Sequence, residues 1–213
     1  MSPSPVNAPP HVHTLLSSLH AKSLAQEAAL TPDTFTDRSA DSFHALMQDK
    51  FIALEQDKCE FVYQLLRATR ATTVVEAGTS YGVSTIYLAL AVARNASASR
   101  TKGKVIATEY EPGKATVARE HWNTAGEEIA SVIELREGDL RETLKREDYN
   151  GVDFLLLDIQ PRMRAGAVIV ADNTVMAKES YKELFDYVDQ EGGPFRRITL
   201  PFKGGMDMIV YEG

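Results

Sequence analysis

From Thr72 onward the chain repeats one alternation, a short β-branched run followed by a helical one, and this restricts the fold more than any other feature. Residues 73–77 read as a strand, 83–94 as an apolar helix, 104–110 as a second strand and 112–125 as a helix, with Pro112 suited to the first helical position. A third strand over 132–136 and a short helix over 140–147 follow. Residues 152–159 form a strand apolar enough to be buried on both faces, 167–171 a fifth strand, and 178–190 an amphipathic helix. The tail FRRITLPFKGGMDMIVYEG reads as two strands around Lys203-Gly204-Gly205, a hairpin signal. Strands that alternate with helices must cross over in parallel, so the pattern predicts an α/β fold: a doubly wound, mostly parallel, seven-stranded sheet with an antiparallel strand near its C-terminus.

Residues 1–10, rich in Pro and Ser, read as a mobile arm with no regular structure. Residues 11–70 read as N-terminal helices, and 71–213 as the α/β domain. Val12, Leu15, Leu16 and Leu19 give helical spacing over 11–30, and a second helical stretch over 39–68 is interrupted near Gln56. These helices are placed to cap a substrate site or to form a dimer contact, and a homodimer is expected.

A net charge of −7 argues against a phosphate backbone as ligand, because nonspecific nucleic-acid binding needs clustered Lys and Arg. No apolar run is long enough to span a bilayer, so the expected partner is a small molecule. The single cysteine, Cys59, excludes an intrachain disulfide and reads as a small buried apolar residue. With no basic and apolar leader at the start, a cytoplasmic location is expected. His121 and Trp122 read as packing or surface residues, and His11, His13 and His20 give little basis for a metal role.

The most informative segment is VVEAGTSYGVS, residues 74–84: a strand, a turn with two glycines, then a helix. Ligands of doubly wound sheets bind outside the carboxyl ends of the strands, and this is the first such turn. Gly78 permits a tight turn, and free N–H groups at the helix start, with the Ser84 hydroxyl, suit a carboxylate. A dinucleotide fingerprint would need glycine where Ser80 and Val83 stand, which weakens a nicotinamide reading. Glu109 ends the second strand, where it can accept from two ribose hydroxyls. Tyr110 can stack on adenine, and Asp139 in Glu137-Gly138-Asp139 can accept from the adenine amino group. Three successive strand ends therefore finish in an acid beside a turn.

Here the chain resembles the small-molecule O-methyltransferase family that includes the catechol and caffeoyl-CoA enzymes. The resemblance runs from about Gln56 to Glu212, through VVEAGTSYGVST, IATEYEP, REGD, VDFLLLD, AGAVIVADN and LPFKGGMDMIVYE. It implies a Rossmann-like methyltransferase fold and S-adenosylmethionine bound by Glu76, Gly78, Thr79, Gly82, Ser84, Glu109, Tyr110, Asp139 and Asp158. It also implies a divalent cation such as Mg²⁺ on Asp158, Asp172 and Asn173, with Asp158 catalytic. The chemistry of the last set agrees, since hard oxygen donors at neighbouring strand ends suit such a cation. The cation would lower the pKa of a bound hydroxyl and make it a nucleophile.

The sequence departs from the family at two points. Pro161 stands where the family carries a basic lysine, so no proton acceptor is assigned. Only residues 160–166 separate the fourth and fifth strands, whereas a parallel crossover needs about a dozen residues or more. The expectation is that chain is absent between Ile159 and Gln160 despite consecutive numbers. The other outcome is a hairpin, which would send Asp172 to the opposite edge from Asp158. A metal-independent methyltransferase, a nicotinamide-dependent oxidoreductase and a methyltransferase-like binding protein without catalysis are the competing readings.

Overall fold

A computed structural model of the chain describes residues 4–29, 50–145, 151–156 and 163–213. Its strands are β1 (Thr73–Ala77), β2 (Lys104–Glu109), β3 (Ile133–Glu137), β4 (Val152–Leu156), β5 (Met163–Asp172), β6 (Phe195–Leu200) and β7 (Met206–Tyr211). They form one seven-stranded sheet in the order β3-β2-β1-β4-β5-β7-β6. The first five run parallel, β7 is antiparallel to β5, and β6 is antiparallel to β7. This is the doubly wound α/β architecture expected from the strand–helix alternation.

Side chains alternate across the sheet with the period of two that strands impose. Val74, Val105, Phe154 and Val168 join the core on one face, and Val75, Ile106, Leu155 and Ile169 join the core on the other. The first face is covered by α1 (Pro10–Ala28), α2 (Gln56–Thr69), α3 (Val83–Ser99), α4 (Pro112–Ala125) and α5 (Glu127–Ala130). Helix α3 is apolar almost all round, the composition of a helix with no solvent face, and eleven of its residues are buried. Against the second face lie α6 (Leu140–Thr143) and α7 (Lys182–Val188), through Leu140, Leu184, Phe185 and Val188. No helix among the described residues is long and apolar enough to cross a membrane.

The chain enters the sheet at β1, moves outward through β2 and β3, and returns to the other side of β1 as β4. That reversal leaves a crevice at the C-terminal ends of β1 and β4, where side chains from both halves converge. The fold thereby fixes where a ligand can enter.

Three expectations are revised. The hairpin alternative is overturned, because β5 pairs with β4 in parallel through Phe154↔Val168, Leu155↔Ile169 and Leu156↔Val170. Asp172 consequently lies at the same edge as the ends of β1 and β4. Strand β5 begins at Met163 rather than Ala167, and its register jumps from Val152↔Met163 to Phe154↔Val168. Gly166, at φ +80°, accommodates the surplus residues of this bulge, and Arg164 bonds to Asp153. The expected interruption between Ile159 and Gln160 lies outside the described residues, as do Asp158 and Pro161. Finally, residues 4–9 have no helix or strand, yet Val6 is buried, the Gln64 side chain donates to Pro5 O at 2.5 Å, and Arg94 donates to Asn7 O at 3.0 Å. One apolar side chain and these polar ties hold the segment against α2 and α3.

Helix α1 is tied to α3 by a buried pair, His20 Nε2 and Tyr87 Oη, 2.9 Å apart. Burial lowers the His20 pKa from its ordinary 6.5, with Glu60 pulling weakly the other way. The folded state therefore resists a proton that the unfolded chain accepts. Stability should be level above about pH 6.5 and should fall as pH drops below it. Urea midpoints measured at about pH 5.5 and pH 7.5 should differ less in His20→Gln than in the wild type; equal differences would show that His20 carries no such linkage.

Candidate functional site

At the ends of β1, β4 and β5 a cavity of about 510 Å³ opens, a size typical of small-molecule sites. It is lined by residues 77–81 of the turn after β1, Val83 and Ser84 of α3, Leu156 of β4, and Asp172 and Asn173 at the end of β5. Ile52, Leu54 and Met176 add apolar walls, and the turn Lys203–Gly204 closes one side.

The two glycines of the turn do different work. Gly78 has φ +87°, a conformation that favours glycine, and a Cβ there would meet nothing within 4 Å. Its backbone is therefore presented bare to the cavity. Gly82 has φ +78°, but a Cβ there would fall 2.4 Å from Trp122 Nε1, which donates to Gly82 O at 3.0 Å. Gly82 is thus a packing glycine under buried Trp122 and is not among the residues that line the cavity.

The expected free N–H groups are mostly engaged. Gly78 N donates to Thr108 Oγ1 at 3.1 Å, Thr79 N to Thr108 O at 2.8 Å, and Ser80 N to Glu109 Oε2 at 2.7 Å. No side chain caps the start of α3, so its first turn, with Val83 and Ser84 on the cavity wall, is the part left for an anion.

Glu76 lies beneath this wall rather than on it. Its Oε1 accepts from Ser84 Oγ at 2.6 Å, and its Oε2 accepts from Thr85 Oγ1 at 2.5 Å and from Thr79 Oγ1. Burial pushes its pKa up, the three hydroxyls oppose that, and the Glu109 charge adds to it. Glu76 therefore reaches the cavity through Thr79 and Ser84, whose hydroxyls it orients. The Ser84 hydrogen points at Glu76, so Ser84 faces the cavity chiefly as an acceptor.

Glu109 and Glu137 are register partners at the ends of β2 and β3, and Gly138 N donates to Glu109 O at 2.9 Å. Glu109 also accepts from Glu111 N at 2.8 Å, so its carboxylate braces two turns at once. Tyr110 is 61% exposed beside it. Asp139 caps α6, its carbonyl accepting from the amides of Glu142 and Thr143. These acids continue along the sheet edge from the cavity.

Lys58 was not anticipated. It sits in the first turn of α2, 1% exposed, with Nζ 2.6 Å from Asp172 Oδ1 and 2.9 Å from Glu55 Oε2. Burial alone would lower its pKa, but the bonds to Asp172 and Glu55 outweigh that and raise it. Burial lifts the pKa of Asp172 while Lys58 opposes the shift. The sequence signal was the spacing Lys58, Val62, Leu66, which puts the lysine on the buried stripe of the helix. Asp172 Oδ2 accepts from Asn173 Nδ2 at 2.9 Å, and Asn173 adopts the left-handed conformation at φ +56°. Of the three expected metal ligands, Asp172 and Asn173 are adjacent at the cavity and Asp158 lies outside the described residues. Among the described residues no three His, Cys, Asp or Glu side chains form a cluster that could hold a metal ion. Lys58 and Asn173 Nδ2 each bond to one Asp172 oxygen, but a carboxylate oxygen has a second lone pair, so these oxygen donors fit a hard cation that shares them.

The sequence profile described as a methyltransferase domain matches residues 75–174, which hold the glycine turn, the strand-end acids and Asp172–Asn173. Residues 75–174 thus carry the methyltransferase domain, and the curated proteins to which the chain is similar are O-methyltransferases. It is 32% identical over 136 residues to a catechol O-methyltransferase of Mycobacterium tuberculosis, covering 58% of each chain. It is 28% identical over 139 residues to a catechol O-methyltransferase of Niastella koreensis, covering 58% of this chain and 59% of that one. The chain thus matches somewhat over half the length of these curated relatives. Its fold is similar to that of the O-methyltransferase TomG from Streptomyces achromogenes, solved in complex with S-adenosylmethionine, with TM-score 0.66 and 18% identity over 98% of this chain and 92% of that one. The methyltransferase match gives no support to the nicotinamide-dependent alternative.

The tie between Lys58 and Asp172 is testable by stability. Lys58→Met leaves two carboxylates near one buried point without a cation and should cost about 3 to 5 kcal/mol in urea unfolding. The double variant Lys58→Met, Asp172→Asn should recover much of that loss. Additive losses would show that the pair is not coupled.

Proposed function

We propose that the chain transfers the methyl group of S-adenosylmethionine to a hydroxyl of a small, aromatic molecule with help from a divalent cation. The observation that carries this reading is the meeting of the bare Gly78 turn and the Asp172–Asn173 strand end in one cavity. Catechol O-methyltransferases among the relatives support it. The carboxyl end of the cofactor would lie against Gly78 and the first turn of α3, with Thr79 and Ser84 held by Glu76. Its ribose and adenine would run along the sheet edge to Glu109, Tyr110 and Asp139. When bound, S-adenosylmethionine supplies an electrophilic sulfonium methyl, and the chain's task is to align an oxygen with it.

Leu156, Ile52, Leu54 and Met176 offer apolar surface to an aromatic ring and exclude water around it. Asp172 and Asn173, with Asp158, would hold the cation. A cation there would favour the ionised form of the acceptor hydroxyl. A second reading, metal-independent transfer, is favoured by Lys58, which already places an ammonium on Asp172.

Calorimetry with S-adenosylhomocysteine should give micromolar binding, and Glu109→Ala should weaken it by about 1.5 to 3 kcal/mol, the scale of hydrogen bonds to a charged group. Heat with NAD(H) and none with either methionine-derived ligand would overturn the cofactor assignment. Chelation by EDTA should remove catechol methylation and Mg²⁺ should restore it. Full activity in EDTA would select the metal-independent reading.

A further inference from the structure

Lys203 is the one cation among the described residues that line the cavity. No described side chain pairs with its ammonium, whereas Lys58, Lys104, Lys145 and Lys182 each contact a carboxylate. Its position is fixed by backbone. Gly204 O accepts from Val175 N and Met176 N, both at 3.0 Å, and Gly205 N donates to Phe202 O at 2.9 Å. A Cβ on Gly204 would fall 2.4 Å from Asn173 Oδ1, so the turn that carries Lys203 lies directly against the end of β5. Gly204 and Gly205, at φ +78° and +83°, make that close approach possible.

The other charges on the wall are anionic. Glu55 is bonded to Lys58, Asp172 is bonded to Lys58 and Asn173, and Glu27 Oε1 accepts from Ser23 Oγ. A neutral aromatic acceptor would meet the apolar walls and have no use for Lys203. An acceptor with a carboxylate would be repelled from Glu27 and Glu55 and held at Lys203, with its ring between Met176, Ile52 and Leu54.

We propose that Lys203 is a specificity residue that selects hydroxylated aromatic acids, binding the acceptor's carboxylate while its hydroxyl faces Asp172 and Asn173. The inference rests on the O-methyltransferase reading and narrows its substrate class. Lysine provides a point charge on a flexible stem, so arginine should serve nearly as well and methionine should not.

The test uses the whole protein with saturating S-adenosylmethionine and two acceptors, catechol and its carboxylated form, protocatechuate. The wild type should favour protocatechuate. Lys203→Met should raise KM for protocatechuate about tenfold, with kcat and the catechol KM unchanged within about twofold, and Lys203→Arg should restore most of the difference. S-adenosylhomocysteine affinity should be the same in all three proteins. Equal losses on both acceptors, a loss of S-adenosylhomocysteine affinity, or no change on protocatechuate would overturn the role of Lys203 while leaving the methyltransferase reading standing. Binding of S-adenosylhomocysteine with turnover of neither acceptor would refute the aromatic-acceptor reading, and this proposal with it.

Discussion

A lysine buried between two carboxylates ties the segment before the sheet to the strand that ends the site. Lys58 bonds to Glu55 at the start of α2 and to Asp172 at the end of β5, so the N-terminal region and the sheet edge cannot be positioned independently. The desolvation of three charged groups is offset only while all three keep their partners. Around this tie the sheet supplies the rest: β1 and β4 part at the topological switch, and the Gly78 turn, Leu156 and Asp172 come to one cavity.

The same edge separates two kinds of interaction. Toward β2 and β3 it presents carboxylates already braced by backbone amides, with Glu109 holding Ser80 N and Glu111 N. Such groups are preorganised, so a ligand that bonds to them orders little further protein. Toward β5 and the β6–β7 turn it presents apolar walls, an ion pair and a lysine with no carboxylate partner among the described residues, a mixture suited to a ring with polar substituents. On the proposed function, one sheet edge would serve two ligands of different chemistry without a second domain.

The sheet was legible in the sequence because periods of two and 3.6 alternate clearly from Thr73 to Ala125, and the tail shows its hairpin at Lys203-Gly204-Gly205. The strand-end acids were legible because parallel strands put their ends on one edge. The glycines were only half legible: Gly78 and Gly82 look alike in sequence, and only the proximity of Trp122, forty residues away in the chain, separates a bare backbone from a packed one. Glu76 was expected at the ligand, yet its partners Ser84, Thr79 and Thr85 turn it inward, a result of side-chain directions that spacing does not encode. Lys58 was missed because a charge on a buried stripe reads as a surface residue until its partner, 114 residues later, is known. The start of β5 reads as Ala167 rather than Met163 because the bulge at Gly166 interrupts the period of two ahead of it.

On the proposed function, the turn after β1 and the edge beside it form the cofactor site. Amide hydrogen exchange with and without saturating S-adenosylhomocysteine tests it at the level of individual segments. Slowed exchange is expected over residues 78–85 and 109–111, with the core strands unchanged. Protection absent from both segments, or confined to the β6–β7 side of the sheet, would contradict it.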